Sequence, residues 1–134
     1  MRAFIFLLAL STAGCNVFGP SQSVDGQWSG SVGGKFSFVC MNLQQDGDTI
    51  TGTAAAMSDG FLLYKDAPVR GDHPDVSFTV GAANTEACCQ HMAGTTFSGK
   101  QDSTEDIVGR YGTADIRFVR DANGTLCANA KTAP

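Results

Sequence analysis

The sequence predicts an all-β fold, an eight-stranded antiparallel barrel in which each strand pairs with the next strand along the chain. Two observations support this fold class. From residue 24 onward, short runs rich in β-branched and aromatic residues alternate with turns rich in Gly, Asp and Asn. No run of ten residues has convincing helical periodicity. The length of 134 residues allows one domain, and a two-sheet β-sandwich is the alternative architecture.

Eight runs are predicted to form strands: 24–31, 35–44, 49–57, 67–72, 75–81, 95–100, 106–111 and 114–120. The connections "GG", "DGD" and "GT" are short enough for hairpin turns. Segments 58–66 and 82–94 are predicted to be longer loops. This order of short strands and turns is an up-and-down meander.

Alternation assigns one apolar face to most of these strands, because successive side chains of a strand point to opposite faces. Closing the sheet into a barrel places those faces inside and removes both sheet edges. The predicted inward residues are Val24, Gly26, Trp28, Gly30, Ile50, Gly52, Ala54, Ala56, Val76, Phe78, Val80, Ile107, Gly109, Tyr111, Ile116 and Phe118.

The run 35–44 is ambiguous, because two apolar sets alternate along it. One set is Phe36, Phe38 and Cys40, and the other is Val39, Met41 and Leu43. A β-bulge near Val39 would let both sets face inward in turn, and the sequence leaves open which set faces the core.

The first 14 residues have the organisation of an export signal. Arg2 precedes an apolar segment at residues 3–10, and small residues follow at 11–14. The apolar segment is too short to span a bilayer as a helix. Residues 12–15, "TAGC", resemble the lipobox of bacterial lipoproteins, although Thr12 stands where Leu is most common. The resemblance implies that Cys15 is diacylated and becomes the new N-terminus; ordinary cleavage that leaves a free Cys15 thiol is the alternative.

The predicted organisation is a signal peptide at 1–14, a lipidated N-terminus and tether at 15–23, and a single barrel domain at 24–134. Asn16 follows the cysteine in place of the Asp that resembles an inner-membrane retention signal. We therefore expect a cell-envelope location with a lipid anchor in the membrane, in the outer membrane where the host has one.

Cysteine parity supports lipidation, because five cysteines leave one unpaired in an exported chain. Assigning Cys15 to lipid leaves Cys40, Cys88, Cys89 and Cys127, which we expect to form two disulfides. Three pairings are possible. Pairing Cys88 and Cys89 separately with Cys40 and Cys127 is favoured over a vicinal bridge, which would distort its own peptide bond.

The tripeptide "GQW" at residues 26–28 resembles the glycine-x-tryptophan motif of lipocalins and related calycin barrels, where the tryptophan plugs one end of the barrel. "TGT" at 51–53 and "FSG" at 97–99 are similar to parts of avidin-type barrels. The resemblance implies that Trp28 is the plug. Because avidin-type barrels hold biotin among several tryptophans and this chain has one, we do not expect biotin binding.

Several functions have little support in the sequence. Nine Lys and Arg against 13 scattered Asp and Glu give no basic surface for nucleic acid. His73 and His91 belong to no Ser, His and Asp constellation, so we expect no enzyme activity.

"EACCQHM" at 86–92 contains soft ligands for copper(I) or zinc. Oxidised cysteines lack the thiolate that a metal needs, however, and we expect no metal or other cofactor.

Two functions of different classes remain. The first is a non-enzymatic structural or protein-interaction module, a solid barrel with an envelope protein as its partner. The alternative is a lipocalin-like carrier, which would bind a small apolar ligand in a lumen lined by Phe36, Phe78, Phe97 and Tyr111. Inward glycines fit either function, because they leave room for a ligand or for large neighbouring side chains.

Overall fold

The structure is a computed structural model that describes residues 23–33, 37–121 and 127–132. Eight strands close into one barrel, in which each strand pairs antiparallel with the next and the last pairs with the first. The predicted all-β, up-and-down barrel is therefore confirmed, and the β-sandwich is wrong. Cys15 and Phe36 lie outside the described residues.

The eight strands correspond one to one with the predicted runs. They are β1 (Gly26–Ser31), β2 (Ser37–Asp46), β3 (Thr49–Ser58), β4 (Phe61–Asp72), β5 (Asp75–Thr79), β6 (Thr96–Ser103), β7 (Asp106–Tyr111) and β8 (Ala114–Arg120). Two short 3₁₀ helices, Ala82–Asn84 and Ala87–Met92, lie between β5 and β6.

The antiparallel order gives the barrel two distinct ends. Residues 23–25, the end of β8, and the β2–β3, β4–β5 and β6–β7 turns lie at one end, which we call the entry end. The β1–β2, β3–β4 and β7–β8 connections lie at the other, which we call the far end, together with the segment that holds both 3₁₀ helices. The chain therefore enters β1 and leaves β8 at the same end.

Apolar side chains on the inward faces form one continuous core. The buried members of that core include the predicted inward residues Val24, Trp28, Ile50, Ala54, Ala56, Val76, Phe78, Val80, Ile107, Tyr111, Ile116 and Phe118. The period-two pattern of the sequence thus predicts the faces correctly for most strands.

The bulge that would bring both apolar sets of β2 inward near Val39 does not form. β2 pairs in unbroken register with β1 and with β3, so Val39 and its alternating neighbours face the core throughout. Phe38 and Cys40 belong to the outer face, where both are half-buried. On that face, Cys40 is bonded to Cys127 of the C-terminal segment.

The predicted loop over 58–66 is also wrong, because β4 begins at Phe61. Asp59 and Gly60 form a two-residue turn with φ values of 52° and 83°, the left-handed conformations that a tight hairpin turn needs. The register of β4 against β3 shifts twice near Ala56, and these irregularities break the alternation that marks a strand.

The C-terminal segment, residues 127–132, lies on the outer wall of the barrel. Cys127 is bonded to Cys40 on β2. The Lys131 amide donates to the Gly60 carbonyl, and the Leu62 amide donates to the Lys131 carbonyl, each at 2.8 Å. Asp121 follows β8 at the entry end, and Lys131 contacts the β3–β4 turn at the far end.

The position of residues 127–132 bears on the disulfide pairing, which differs from the favoured expectation. Cys40 pairs with Cys127, and Cys88 pairs with Cys89. The separate pairing of Cys88 and Cys89 with the other two cysteines is wrong. The physical reason is distance along the barrel, because Cys127 is held against the middle of β2 while Cys88 and Cys89 lie on the far-end segment.

Candidate functional site: an outer-wall groove

The barrel interior is filled by aromatic side chains that contact one another. The ring centroid of Phe97 lies 5.5 Å from that of Phe78 and 5.0 Å from that of Phe118. The rings of Phe78 and Tyr111 are 6.3 Å apart. The sequence predicts that Phe78, Phe97 and Tyr111 line a lumen. Their side chains do lie together, but they pack against one another as core residues.

The inward glycines accommodate these side chains. A Cβ added to Gly99 would lie 2.6 Å from the Phe97 ring, and one added to Gly109 would lie 2.8 Å from it. A Cβ on Gly30 would lie 3.0 Å from the Ile116 side chain. Backbone carbonyl oxygens of adjacent strands are nearer still, at 2.4 Å from the Cβ on Gly99, 2.3 Å on Gly109 and 2.9 Å on Gly30. The room that these glycines leave is therefore taken up by neighbouring backbone as well as by side chains.

One polar contact lies inside the core, near the far end. The hydroxyls of Tyr64 and Tyr111 are 2.9 Å apart, and either one could donate the hydrogen bond. Burial raises the pKa of both phenols, and the neighbouring Tyr111 adds to the rise in the pKa of Tyr64. Both groups are therefore neutral at physiological pH. The sequence pattern does not indicate Tyr64 as a core residue, because Tyr64 falls within the predicted loop at 58–66.

Trp28 and Arg120 close the entry end of the barrel. Trp28 is fully buried, and its indole N–H donates to the Val24 carbonyl at 2.8 Å. The Arg120 guanidinium lies 4.4 Å from the centroid of the Trp28 ring, where a cation–π attraction operates. It also donates to backbone carbonyls of residues 23, 25 and 104.

Arg120 is a residue that sequence analysis missed. Its partners lie up to 97 positions away along the chain, so no local pattern indicates the contact. The guanidinium has five donors in a fixed fork and always carries a charge. These properties let one side chain hold the start of β1, the β6–β7 turn and the Trp28 ring together.

A groove of about 400 Å³ lies outside the barrel, between the C-terminal segment and the wall formed by β2, β3 and β4. Ala55, Leu62, Ala128, Ala130 and the Cys40–Cys127 disulfide provide apolar surface, and Gln27, Asn42, Thr53, Lys65, Asp66 and Asp121 provide polar surface. The groove therefore combines an apolar floor with charged and uncharged polar groups.

The irregularity of β4 shapes this groove. Tyr64 and Ala67 are both buried in the core, and two residues, Lys65 and Asp66, stand between them where regular alternation allows one. Both are exposed, and Asp66 has the left-handed φ of 56°. The bulge therefore presents two adjacent side chains of opposite charge to the groove.

The Cys88–Cys89 disulfide lies at the far end, within the second 3₁₀ helix. Cys88 is exposed, whereas Cys89 is only 6% exposed and has the non-helical φ of −134°. His91 is exposed, and Met92 packs against the core. Among the described residues, no three side chains of His, Cys, Asp or Glu lie close enough together to hold a metal ion.

These features define a class of protein, the small closed up-and-down β-barrel, here with a filled interior and a groove on its outer wall. Comparison of the chain with family models, with curated proteins and with solved structures finds no match. Within residues 23–33, 37–121 and 127–132, no helix has the length and apolar character needed to cross a membrane.

Proposed function

We propose that this protein is a bacterial envelope lipoprotein, held in the membrane by acyl chains on Cys15, that acts without catalysis as a protein-interaction module. The interaction role is supported by one observation, which is that the concave surface open to a partner lies on the outside of the barrel. Core side chains fill the interior, whereas the groove lies outside and is bordered by a covalently attached segment. A carrier would need the reverse arrangement, with an open lumen.

The entry end supports an orientation for the anchored domain. Nine of the 13 acidic residues lie there: Asp25, Asp46, Asp48, Asp72, Asp75, Asp102, Glu105, Asp106 and Asp121. Arg120 binds the backbone at residues 23 and 25, so the predicted tether also leaves from this end. Arg117 pairs with Asp106 and Arg120 with Glu105 at this end, which reduces the acidic excess without removing it. Anionic headgroups repel the remaining negative charge. The barrel therefore stands off the bilayer, with its wall and far end facing the periplasm or the medium.

The groove suits a polypeptide partner because the described part of its border is held in place. The Cys40–Cys127 bond and the two hydrogen bonds of Lys131 fix the C-terminal segment at two residues. A surface that is already ordered loses little conformational entropy when it binds. Lys65 and Asp66 give the two charges that would orient the partner.

A photo-crosslinking amino acid placed at Thr53 in the full-length protein, expressed in its host, tests the proposal. Thr53 lines the groove, and Ser98 is an exposed position on β6 that serves as the matched control. We expect a discrete protein adduct from position 53 and none from position 98, and we expect charge reversal at Lys65 and Asp66 to weaken that adduct. A stoichiometric apolar ligand in the purified protein, without an adduct, would support the carrier instead.

A further inference from the structure

The two disulfides of the barrel differ greatly in the length of chain that each one closes. Cys40 and Cys127 are 87 positions apart, and Cys88 and Cys89 are adjacent. A disulfide stabilises a fold mainly by restricting the unfolded chain, and the restriction grows with the length of the closed loop. The Cys88–Cys89 bond closes a single dipeptide. Global stability therefore does not account for this bond.

The two bonds also differ in access. Cys88 is exposed, in a segment between β5 and β6 that forms no part of the barrel wall. Cys40 and Cys127 are both half-buried, where the C-terminal segment is hydrogen-bonded to the β3–β4 turn. Thiol–disulfide exchange requires a thiolate to reach one sulfur of the bond. Cys88 is the half-cystine that an external thiolate reaches most easily.

We propose that Cys88–Cys89 is a reversible two-electron redox site that a dithiol reductant addresses while the barrel stays folded. The donor's first thiolate attacks Sγ of Cys88, so that a mixed disulfide forms and the Cys88–Cys89 bond breaks. The electron pair of the broken bond remains on Sγ of Cys89, which takes up a proton. The donor's second thiolate then attacks the donor sulfur of the mixed disulfide and releases the Cys88 thiolate, which is protonated in turn.

The products of this exchange are a protein dithiol and a donor disulfide, so the donor loses the two electrons that the protein gains. The reverse sequence restores the bond. The segment is attached to β4 by the Glu86 amide, which donates to the Leu63 carbonyl at 2.9 Å, and by the bridge between Tyr64 and Thr85. These contacts do not involve the two sulfurs. Reduction therefore changes the chemistry of the far end without opening the barrel.

The test is a redox titration of the purified full-length protein in detergent with mixtures of reduced and oxidised dithiothreitol. Free thiols are trapped by alkylation under native conditions, and each cysteine is read by peptide mass spectrometry. We expect Cys88 and Cys89 to be half-reduced at a ratio of reduced to oxidised reagent at least about tenfold lower than Cys40 and Cys127 require. The far-ultraviolet circular dichroism should not change over that range.

Two matched variants make the result specific. In Cys40→Ala/Cys127→Ala, the midpoint of the remaining pair should stay within about twofold of the wild-type value if the site is independent of the barrel wall. Reduced wild-type protein should bind one phenylarsine oxide per chain, since this probe bridges two neighbouring thiols, and Cys88→Ser should bind none. Reduction of both pairs together, or only upon unfolding, would overturn the proposal. These outcomes leave the proposed interaction function unaffected.

Discussion

At the scale of single residues, the entry end depends on one stacked pair. Trp28 fills the interior of this end, and Arg120 covers its ring while binding three backbone carbonyls. The side chain of Arg120 is 27% exposed, so its charge stays partly hydrated. Most of the stabilisation therefore comes from the buried indole, and the guanidinium acts as its cover.

Trp28→Ala should lower the free energy of unfolding by roughly 3 to 5 kcal/mol, because a fully buried aromatic side chain is lost and water reaches the interior. Chemical denaturation of the unlipidated domain measures the change. Val119→Ala is the control, since Val119 is 43% exposed, and its effect should stay below about 1 kcal/mol. A similarly small effect of Trp28→Ala would contradict the placement of Trp28 in the core.

Tyr64 and Tyr111 are the two tyrosines of the chain, so their titration is free of other phenols. Burial raises the pKa of both in the folded state above the ordinary value of 10.0. The unfolded chain therefore releases these protons near pH 10 while the folded chain retains them. Stability from this source is complete below pH 10 and falls as the pH rises above it.

We expect the free energy of unfolding to fall with pH above 10 more steeply in the wild type than in Tyr64→Phe/Tyr111→Phe. Phenolate absorbance should appear only as the protein unfolds. At neutral pH, each single Phe variant should cost about 1 to 3 kcal/mol because it leaves the other buried hydroxyl unsatisfied. The double variant should cost less than the sum of the two. Phenolate absorbance in the folded protein near pH 10 would refute the buried pair.

At the scale of elements, the glycines of β6 and β7 allow these neighbouring strands to approach each other closely. Gly109→Ala would place a Cβ 2.3 Å from the Ser98 carbonyl oxygen and 2.8 Å from the Phe97 ring. We expect a loss of about 1 to 3 kcal/mol from overpacking. The exposed Ser98→Ala, on the adjacent strand, is the control. Unfolding midpoints in urea compare the two, and equal midpoints would mean that the interior has spare room.

The strands differ in how well sequence alone predicts them, and the reason is the regularity of their pairing. β5 and β7 alternate without interruption, so their inward residues follow directly from the period of two. β4 contains a bulge between Tyr64 and Ala67. The bulge interrupts the alternation of apolar and polar residues, so the sequence of this strand resembles that of a loop with apolar residues. The one local signal for its start is the Asp59–Gly60 pair, which favours a tight turn.

The candidate site was less predictable than the fold. Its groove depends on the bulge of β4 and on the return of the C-terminal segment to β2, and both arise from pairing between distant parts of the chain. The contact of Arg120 with Trp28 has the same origin. Cysteine counting gave the set of four half-cystines, but their pairing depends on where the far-end segment and residue 127 lie along the barrel.

At the scale of the whole molecule, the two disulfides should have unequal effects on stability. By the chain-entropy relation, a loop of 87 residues corresponds to about 4 to 5 kcal/mol, and a two-residue loop to about 1 kcal/mol. We therefore expect Cys40→Ala/Cys127→Ala to lower the unfolding free energy by several kcal/mol more than Cys88→Ala/Cys89→Ala. Denaturation under non-reducing conditions compares them, and equal losses would contradict this assignment of roles.

Membrane attachment is also a property of the whole chain. Because the predicted lipid is attached through the Cys15 sulfur, Cys15→Ser should yield either a soluble protein or one with an uncleaved signal. Detergent phase partitioning and intact mass distinguish these two products from the wild type. Cys88→Ser serves as the control, since it removes a sulfur without touching the signal. Membrane association of a correctly cleaved Cys15→Ser protein would refute the anchor.

The covalent bond between Cys40 and Cys127 has a mechanical consequence. Tension applied between the tether and the C-terminus passes through this bond, so the 87-residue separation, about 300 Å of extended chain, stays locked even after the core is lost. Of the eight strands, β1 is the one that lies wholly before the closed ring. Under tension, β1 is therefore the first strand to separate from the barrel. The extension of the domain is then limited to the chain that lies outside the disulfide-closed ring.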